Sequence, residues 1–209
     1  MKNLIVGQSG GPTAVINSSL YGVIREGFNR SEEIEHVYGM INGIQGFLDG
    51  RFMDMKELDN DTLEALRTTP GAYLGSCRFK LPDNLNDAIY PLLFQKFEEM
   101  NIGYFFYIGG NDSMDTVSKL SRYAKHHGSD IRFIGISIDQ NEKLWVKRLK
   151  KDGMPAHIQE VLADPYVVGD AWDITSIPRF LLIDENFRII NAFAPRPSDR
   201  EKIEPLLAR

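Results

Sequence analysis

Leu4-Ile5-Val6-Gly7-Gln8-Ser9-Gly10-Gly11-Pro12-Thr13 sets a short apolar run directly against a glycine turn. Behind it, residues 13–28 carry Val15, Leu20, Val23 and Ile24 at helical spacing, so the segment reads as strand, glycine turn, helix. The same order returns at Tyr104-Phe105-Phe106-Tyr107-Ile108-Gly109-Gly110-Asn111-Asp112-Ser113. There a nearly continuous apolar run, as expected of a strand covered on both faces, meets two glycines and a helix to about His126. Working outward, strands are expected at 36–40 and 131–138 and helices at 57–67 and 92–100. Residues 42–46 read as a turn-rich loop, and 68–82 as an ordered loop without a period. Residues 142–151 predict a basic amphipathic helix with Trp145, Val146 and Leu149 on its apolar side. Segments 180–184 and 188–193 predict an antiparallel hairpin turning at Glu185-Asn186. Ser198 and Glu201 form a capping box for a last helix ending near Leu207. Strands alternate with helices to about residue 150, so the class is α/β, a three-layer sandwich around a mostly parallel sheet.

Composition narrows the function. With 209 residues, 43% hydrophobic and 25% charged, the chain is neither collagen-like nor wholly disordered. A net charge of −5 and the lack of a basic tract argue against a nucleic-acid partner. No apolar run approaches the roughly 18 residues a membrane helix needs, and the apolar start is too short for a signal segment. The expected partner is therefore not a membrane, and the expected location is the cytoplasm. The one cysteine, Cys77, excludes an intrachain disulfide and a multi-cysteine zinc site.

The two glycine junctions carry the chemistry. Adjacent glycines let backbone approach a phosphate closely, and a helix N-terminus behind them offers unpaired N–H groups and a positive dipole end. Both sit where strands of a parallel sheet end, the usual ligand edge. Gly10, Gly11, Gly110 and Ser113 are thus candidates for a phosphate or nucleotide cradle, and Asp112 could hold a magnesium ion bound to phosphate. The competing reading is that these glycines only permit tight turns. Arg78, on an irregular loop, suits phosphate oxygens, or is a solvated surface arginine.

Residues 1–134 resemble the N-terminal part of a phosphofructokinase of the pyrophosphate-dependent type. The pieces are Val6-Gly7-Gln8-Ser9-Gly10-Gly11-Pro12-Thr13-Ala14-Val15-Ile16-Asn17, Asn42-Gly43-Ile44-Gln45-Gly46-Phe47, Leu74-Gly75-Ser76-Cys77-Arg78-Phe79, and Ile108-Gly109-Gly110-Asn111-Asp112-Ser113-Met114-Asp115-Thr116. The resemblance implies a Rossmann-like phosphate-binding segment. It places Gly11 at the transferable phosphate, Arg78 at the donor, and Gly110, Asp112 and Ser113 at the donor and its magnesium. The donor would be pyrophosphate or ATP, and a carboxylate at Asp112, where ATP users carry glycine, suits pyrophosphate. Asn111 stands where many members carry aspartate. Asp139 would align with the family's base across a two-residue deletion, without the lysine that precedes it there.

Residues 131–209 resemble instead the C-terminal half of a thioredoxin-like thiol–disulfide oxidoreductase. The carriers are Ile134-Gly135-Ile136-Ser137-Ile138-Asp139, Leu144-Trp145, Ile174-Thr175-Ser176-Ile177-Pro178-Arg179-Phe180-Leu181-Leu182-Ile183-Asp184 and Ala194-Pro195-Arg196-Pro197-Ser198. That resemblance implies a cis bond at Pro178, a thioredoxin-like hairpin and a C-terminal helix packed as one domain with the first segment. Cys77 has no partner for thiol exchange. Together the two resemblances give the leading expectation, an engineered or computationally designed chimera joined near Ile134, without turnover and with weak phosphate or nucleotide affinity. The alternatives are a 6-phosphofructokinase and a redox-inactive thioredoxin-like interaction module. The join also sets a contest for the slot beside residues 104–108, which residues 4–6 are expected to win over the hairpin, since a parallel βαβ order is the stronger constraint.

Overall fold

The computed structural model describes residues 1–137 apart from 12 and 14, then 143, 146, 147, 158–162, 182–183, 189–191, 193–195 and 199–207. It divides into two compact units, Met1–Ala171 and Trp172–Arg209.

The first unit is built on a six-stranded sheet. Its strands are β1 (Lys2–Gln8), β2 (Ile34–Met40), β3 (Phe52–Asp54), β4 (Ile102–Gly109), β5 (Arg132–Ser137) and β6 (Ile158–Leu162), in the order β3-β2-β1-β4-β5-β6. All neighbours pair parallel except β3, a short antiparallel strand on β2. Helix α1 (Ile16–Asn29) joins β1 to β2, and α5 (Asn111–His126) joins β4 to β5. The two connections step in opposite directions along the sheet. Right-handed crossovers therefore put the two helices on opposite faces.

Side-chain alternation follows. Ile5, Phe105, Tyr107 and Phe133 share one buried cluster with Phe94 and Phe97 of α4 (Ile89–Glu99) and Val117 and Leu120 of α5. Leu4, Val6 and Ile108 belong to the other, with Ile16, Leu20 and Ile24 of α1 and Leu63 and Leu66 of α3 (Asn60–Leu66). This is the period-two pattern of strands covered on both sides. The first cluster is aromatic: the Phe105 ring lies 5.6 Å from Phe97 and 5.4 Å from Phe133.

Local signals set the element ends. Asp59 caps α3, its carboxylate accepting from the Thr62 amide and hydroxyl, both at 2.7 Å. Asp112 in the first turn of α5 and Lys125 and His126 in its last complement the helix dipole. The stretch expected as a loop at 42–46 is instead the start of a short helix, α2 (Gly43–Leu48), entered through left-handed conformations at Asn42 and Gly43. Its two glycines masked the helical period. Ile44 and Phe47 face the core.

Residues 4–6 do hold the slot beside β4, with Leu4 opposite Tyr104 and Gln8 opposite Ile108. In the second unit, β7 (Leu182–Ile183) and β8 (Ile189–Asn191) form a two-stranded antiparallel sheet of their own, and α6 (Arg200–Leu207) is the last helix. Asp139, Pro178 and Ser198, and most of the segment expected as a basic helix, lie outside the described residues. No helix among the described residues is long and apolar enough to cross a membrane.

Tyr107 joins β4 to α2. Its side chain is buried and its hydroxyl oxygen accepts from the Ile44 amide at 3.3 Å. Burial pushes its phenol well above the ordinary tyrosine range, and burial also raises Tyr38 and Tyr90. A raised phenol favours folding fully below the unfolded value near 10, and the stabilisation is lost as pH rises above it. Unfolding free energy measured in urea should therefore fall above pH ~10, with Tyr107 alone contributing about 1.4 kcal/mol per pH unit. Tyr107→Phe should flatten that limb. Phe105→Ala, which empties the centre of the aromatic cluster, should lower stability by about 3–5 kcal/mol at neutral pH in the same titration.

Candidate functional site

The two glycine turns are brought together by the sheet. β1 and β4 are neighbours, and the Ser9 amide, just past β1, donates to the Ile108 carbonyl at 2.9 Å. Gly10 takes a left-handed φ of 82°, and a Cβ on it would sit 4.0 Å from the Gly110 nitrogen. A Cβ on Gly109 would come within 2.6 Å of the Ser9 carbonyl oxygen, so a side chain there would drive the turns apart. Gly11 and Gly110 are different: where their Cβ atoms would stand there is open space. The result is open, bare backbone at the carboxyl edge of the sheet, with the positive end of α5 behind it.

The loop expected at 68–82 is ordered by two buried carboxamides. Gln8 donates to the Ile16 carbonyl at 3.0 Å and the Asn17 side-chain oxygen at 3.1 Å, and accepts from the Leu74 amide at 2.9 Å. Asn17 donates to the Thr69 carbonyl at 3.0 Å and accepts from the Tyr73 amide at 2.7 Å. The loop then crosses the first glycine turn. The Ser76 hydroxyl donates to the Gly10 carbonyl, and the Cys77 carbonyl accepts from the Ser9 hydroxyl at 3.3 Å and the Gly10 amide at 3.5 Å.

Arg78 follows immediately. It is exposed and has no ion-pair partner among the described residues. Lys80, two residues on, lies 3.1 Å from the Asp112 carboxylate, and both side chains are about 70% exposed. Gly10, Gly11, Gly110 and Asp112 thus gather at one edge with the loop that bears Arg78. Ser113 is placed differently. Its hydroxyl is buried without a hydrogen-bond partner among the described residues, as is that of Thr13. Cys77 fills space beside Gly43, its sulfur 3.8 Å from the Tyr107 hydroxyl.

Gln8 and Asn17 were not among the residues expected here, yet each breaks an apolar pattern: Gln8 ends a strand, and Asn17 lies on the buried face of α1. A polar residue at a core position needs partners, and these find them in the loop.

Among the described residues no cluster of three His, Cys, Asp or Glu side chains could hold a metal. One exposed carboxylate, Asp112, fits a magnesium ion that arrives on phosphate oxygens, which commonly uses one or two carboxylates. It does not fit a resident all-protein metal centre. A groove of about 1280 Å³ between α1 and the sheet, lined by Leu4, Val23, Tyr104, Phe106, Ile134 and Ile136, contains none of these residues.

A family model described as phosphofructokinase matches residues 3–143. Pyrophosphate–fructose 6-phosphate 1-phosphotransferase of Rhodospirillum rubrum is 40% identical over 133 residues, covering 64% of this chain and 32% of that protein. The enzyme of the same name from Methylococcus capsulatus is 40% identical over 136 residues, 65% of this chain and 32% of that protein. The crystal structure of pyrophosphate-dependent phosphofructokinase from Nitrosospira multiformis superposes with a TM-score of 0.62 at 40% identity, over 66% of this chain and 34% of that one. The chain spans about a third of the length of these relatives.

These matches overturn the expected chimera without turnover. The family match reaches residue 143, past the join expected near Ile134. Its relatives are named as phosphotransferases, and nothing in the comparisons supports a thioredoxin-like segment. The strand at 131–137, which both resemblances claimed, belongs with what precedes it. The chain is a member of the phosphofructokinase family.

Proposed function

We propose that this chain carries the phosphoryl-donor side of a phosphofructokinase-type phosphotransferase, which moves a phosphate from pyrophosphate, or from ATP, to fructose 6-phosphate. The observation that carries the reading is the meeting of the turns at Gly10-Gly11 and Gly109-Gly110, with open space over Gly11 and Gly110. Backbone amides and the α5 dipole suit phosphate oxygens, and the exposed guanidinium of Arg78 adds a charge of the right sign. Phosphoryl transfer works chiefly by positioning and charge stabilisation, so a rigid cradle of this kind is the main thing the donor requires.

In the reaction, the acceptor hydroxyl oxygen attacks the terminal phosphorus, and the bond from that phosphorus to the leaving phosphate breaks. The proton goes to a carboxylate, for which Asp139 is the candidate. In the sequence it follows the end of β5 by two residues. Magnesium, when bound on the donor, neutralises charge on its oxygens, and Asp112 is the residue to hold it. A carboxylate at Asp112, in the first turn of α5, stands where the resemblance gives ATP users a glycine, and so suits pyrophosphate over ATP.

Magnesium pyrophosphate should raise the thermal midpoint of the chain, because a ligand that binds only the folded state stabilises it. Gly11→Ala adds a methyl group to open space, so it should leave the ligand-free midpoint within the ~0.5 kcal/mol typical of neutral surface changes. It should also remove most of the pyrophosphate-induced rise. An unchanged rise in Gly11→Ala would place the ligand elsewhere. In a coupled assay for fructose 1,6-bisphosphate, pyrophosphate should outperform ATP, and Asp112→Gly should narrow the ratio between them. Asp139→Asn should abolish turnover while leaving the pyrophosphate-induced rise in place. Turnover surviving that change would remove Asp139 as the base.

A further inference from the structure

Residues 76–83 form a strap between the first glycine turn and α5. At its near end Ser76 and Cys77 are hydrogen-bonded to Ser9 and Gly10. At its far end three consecutive residues are pinned. The Tyr90 hydroxyl donates to the Pro82 carbonyl at 2.5 Å, and the Lys119 ammonium takes the residues on either side. Lys119 donates to the Leu81 carbonyl at 2.9 Å and lies 2.7 Å from the Asp83 carboxylate and 2.8 Å from that of Asp115. All three of its protons are thus used, and the residue is only 5% exposed. Between the pinned ends stand Arg78, Phe79 and Lys80, so the backbone that carries the two exposed cations of the strap is tied down at both ends.

We propose that Lys119 is a positioning residue for the phosphoryl donor: it ties the strap to α5 so that Arg78 and Lys80 are held over the same helix whose first turn faces the phosphate. This rests on the donor reading of the glycine turns. Lys119 lies seven residues beyond Asp112 on α5, about two helical turns along. Strap and helix N-terminus therefore move as one body. An apolar side chain could fill the same space but would leave the Leu81 carbonyl and Asp115 without this donor, and a buried charge is retained only where such contacts offset its desolvation. Burial pulls the Lys119 ammonium toward a lower pKa, but its hydrogen bonds and charge contacts with Asp115 and Asp83 outweigh that and hold it above the ordinary lysine value.

Lys119→Met and Lys119→Arg separate positioning from mere stability. Amide hydrogen exchange should speed up at residues 78–80 in Lys119→Met while β1 and β4 keep their protection. Calorimetric affinity for magnesium pyrophosphate should fall about tenfold, the scale of one charge-assisted contact. Lys119→Arg should restore most of both. If Lys119→Met does not fold, Asp83→Asn, which removes one partner at an exposed position, makes the same comparison with a smaller effect. Unchanged exchange in the strap, or faster exchange with undiminished affinity, overturns the proposal while leaving the donor reading intact. A wild-type chain that binds no pyrophosphate overturns the donor reading itself, and this role of Lys119 falls with it.

Discussion

The in-register parallel pairing of β1 with β4 is the constraint on which the site depends. It fixes Gln8 opposite Ile108, and the chain can leave both strands at the same level only by turning sharply. Two glycine turns side by side are the outcome, each followed by a helix. Because the strand order reverses direction between β1 and β4, the helices lie on opposite faces and do not compete for the space above the turns. A shift of one residue in this pairing would turn Ile5 and Phe105 out of the aromatic cluster. The core thus fixes the register, and the register places the two glycine turns side by side.

Above that level, polar contacts take over from packing. The loop at 68–82 has few apolar anchors, yet it is ordered because Gln8 and Asn17, fully or nearly buried, have no water to satisfy them and must find partners in it. The dependence is mutual: the loop lies down because the carboxamides need it, and the carboxamides are tolerated because the loop is there. Lys119 repeats the device at the far end. Sheet and loop together leave a surface of backbone and cations that is free of side-chain bulk at Gly11 and Gly110.

Much of this was legible in the residues. The apolar runs ending in glycine gave β1 and β4, and the helical spacing behind them gave α1 and α5. Gly10, Gly11, Gly110 and Asp112 could be placed together at one sheet edge because parallel strands end together. Local patterning could not show that Gln8, Asn17 and Lys119 would each bond to a stretch of chain tens of residues away. Helix α2 escaped because its glycines hid the period, and the three-residue strand β3 was too short to show one. The expected chimera near Ile134 went wrong for a related reason. A buried strand between a helix and a turn, as at 131–137, looks alike in many α/β proteins, so a local likeness there could not decide lineage.

Strand β3 has an effect of its own. A parallel sheet would otherwise end at β2 with a row of unpaired amides and carbonyls along seven residues, an inviting template for another polypeptide. Instead β3 reverses direction, covers part of that border for three residues, and runs straight into a 3-10 turn capped by the Asp54 carboxylate, with Lys56 reaching back to the Glu35 carbonyl. So brief a rim, ended by charge, gives an incoming strand almost nothing to grip. Growth of the sheet on that flank, and fibrillar stacking from it, are thereby disfavoured.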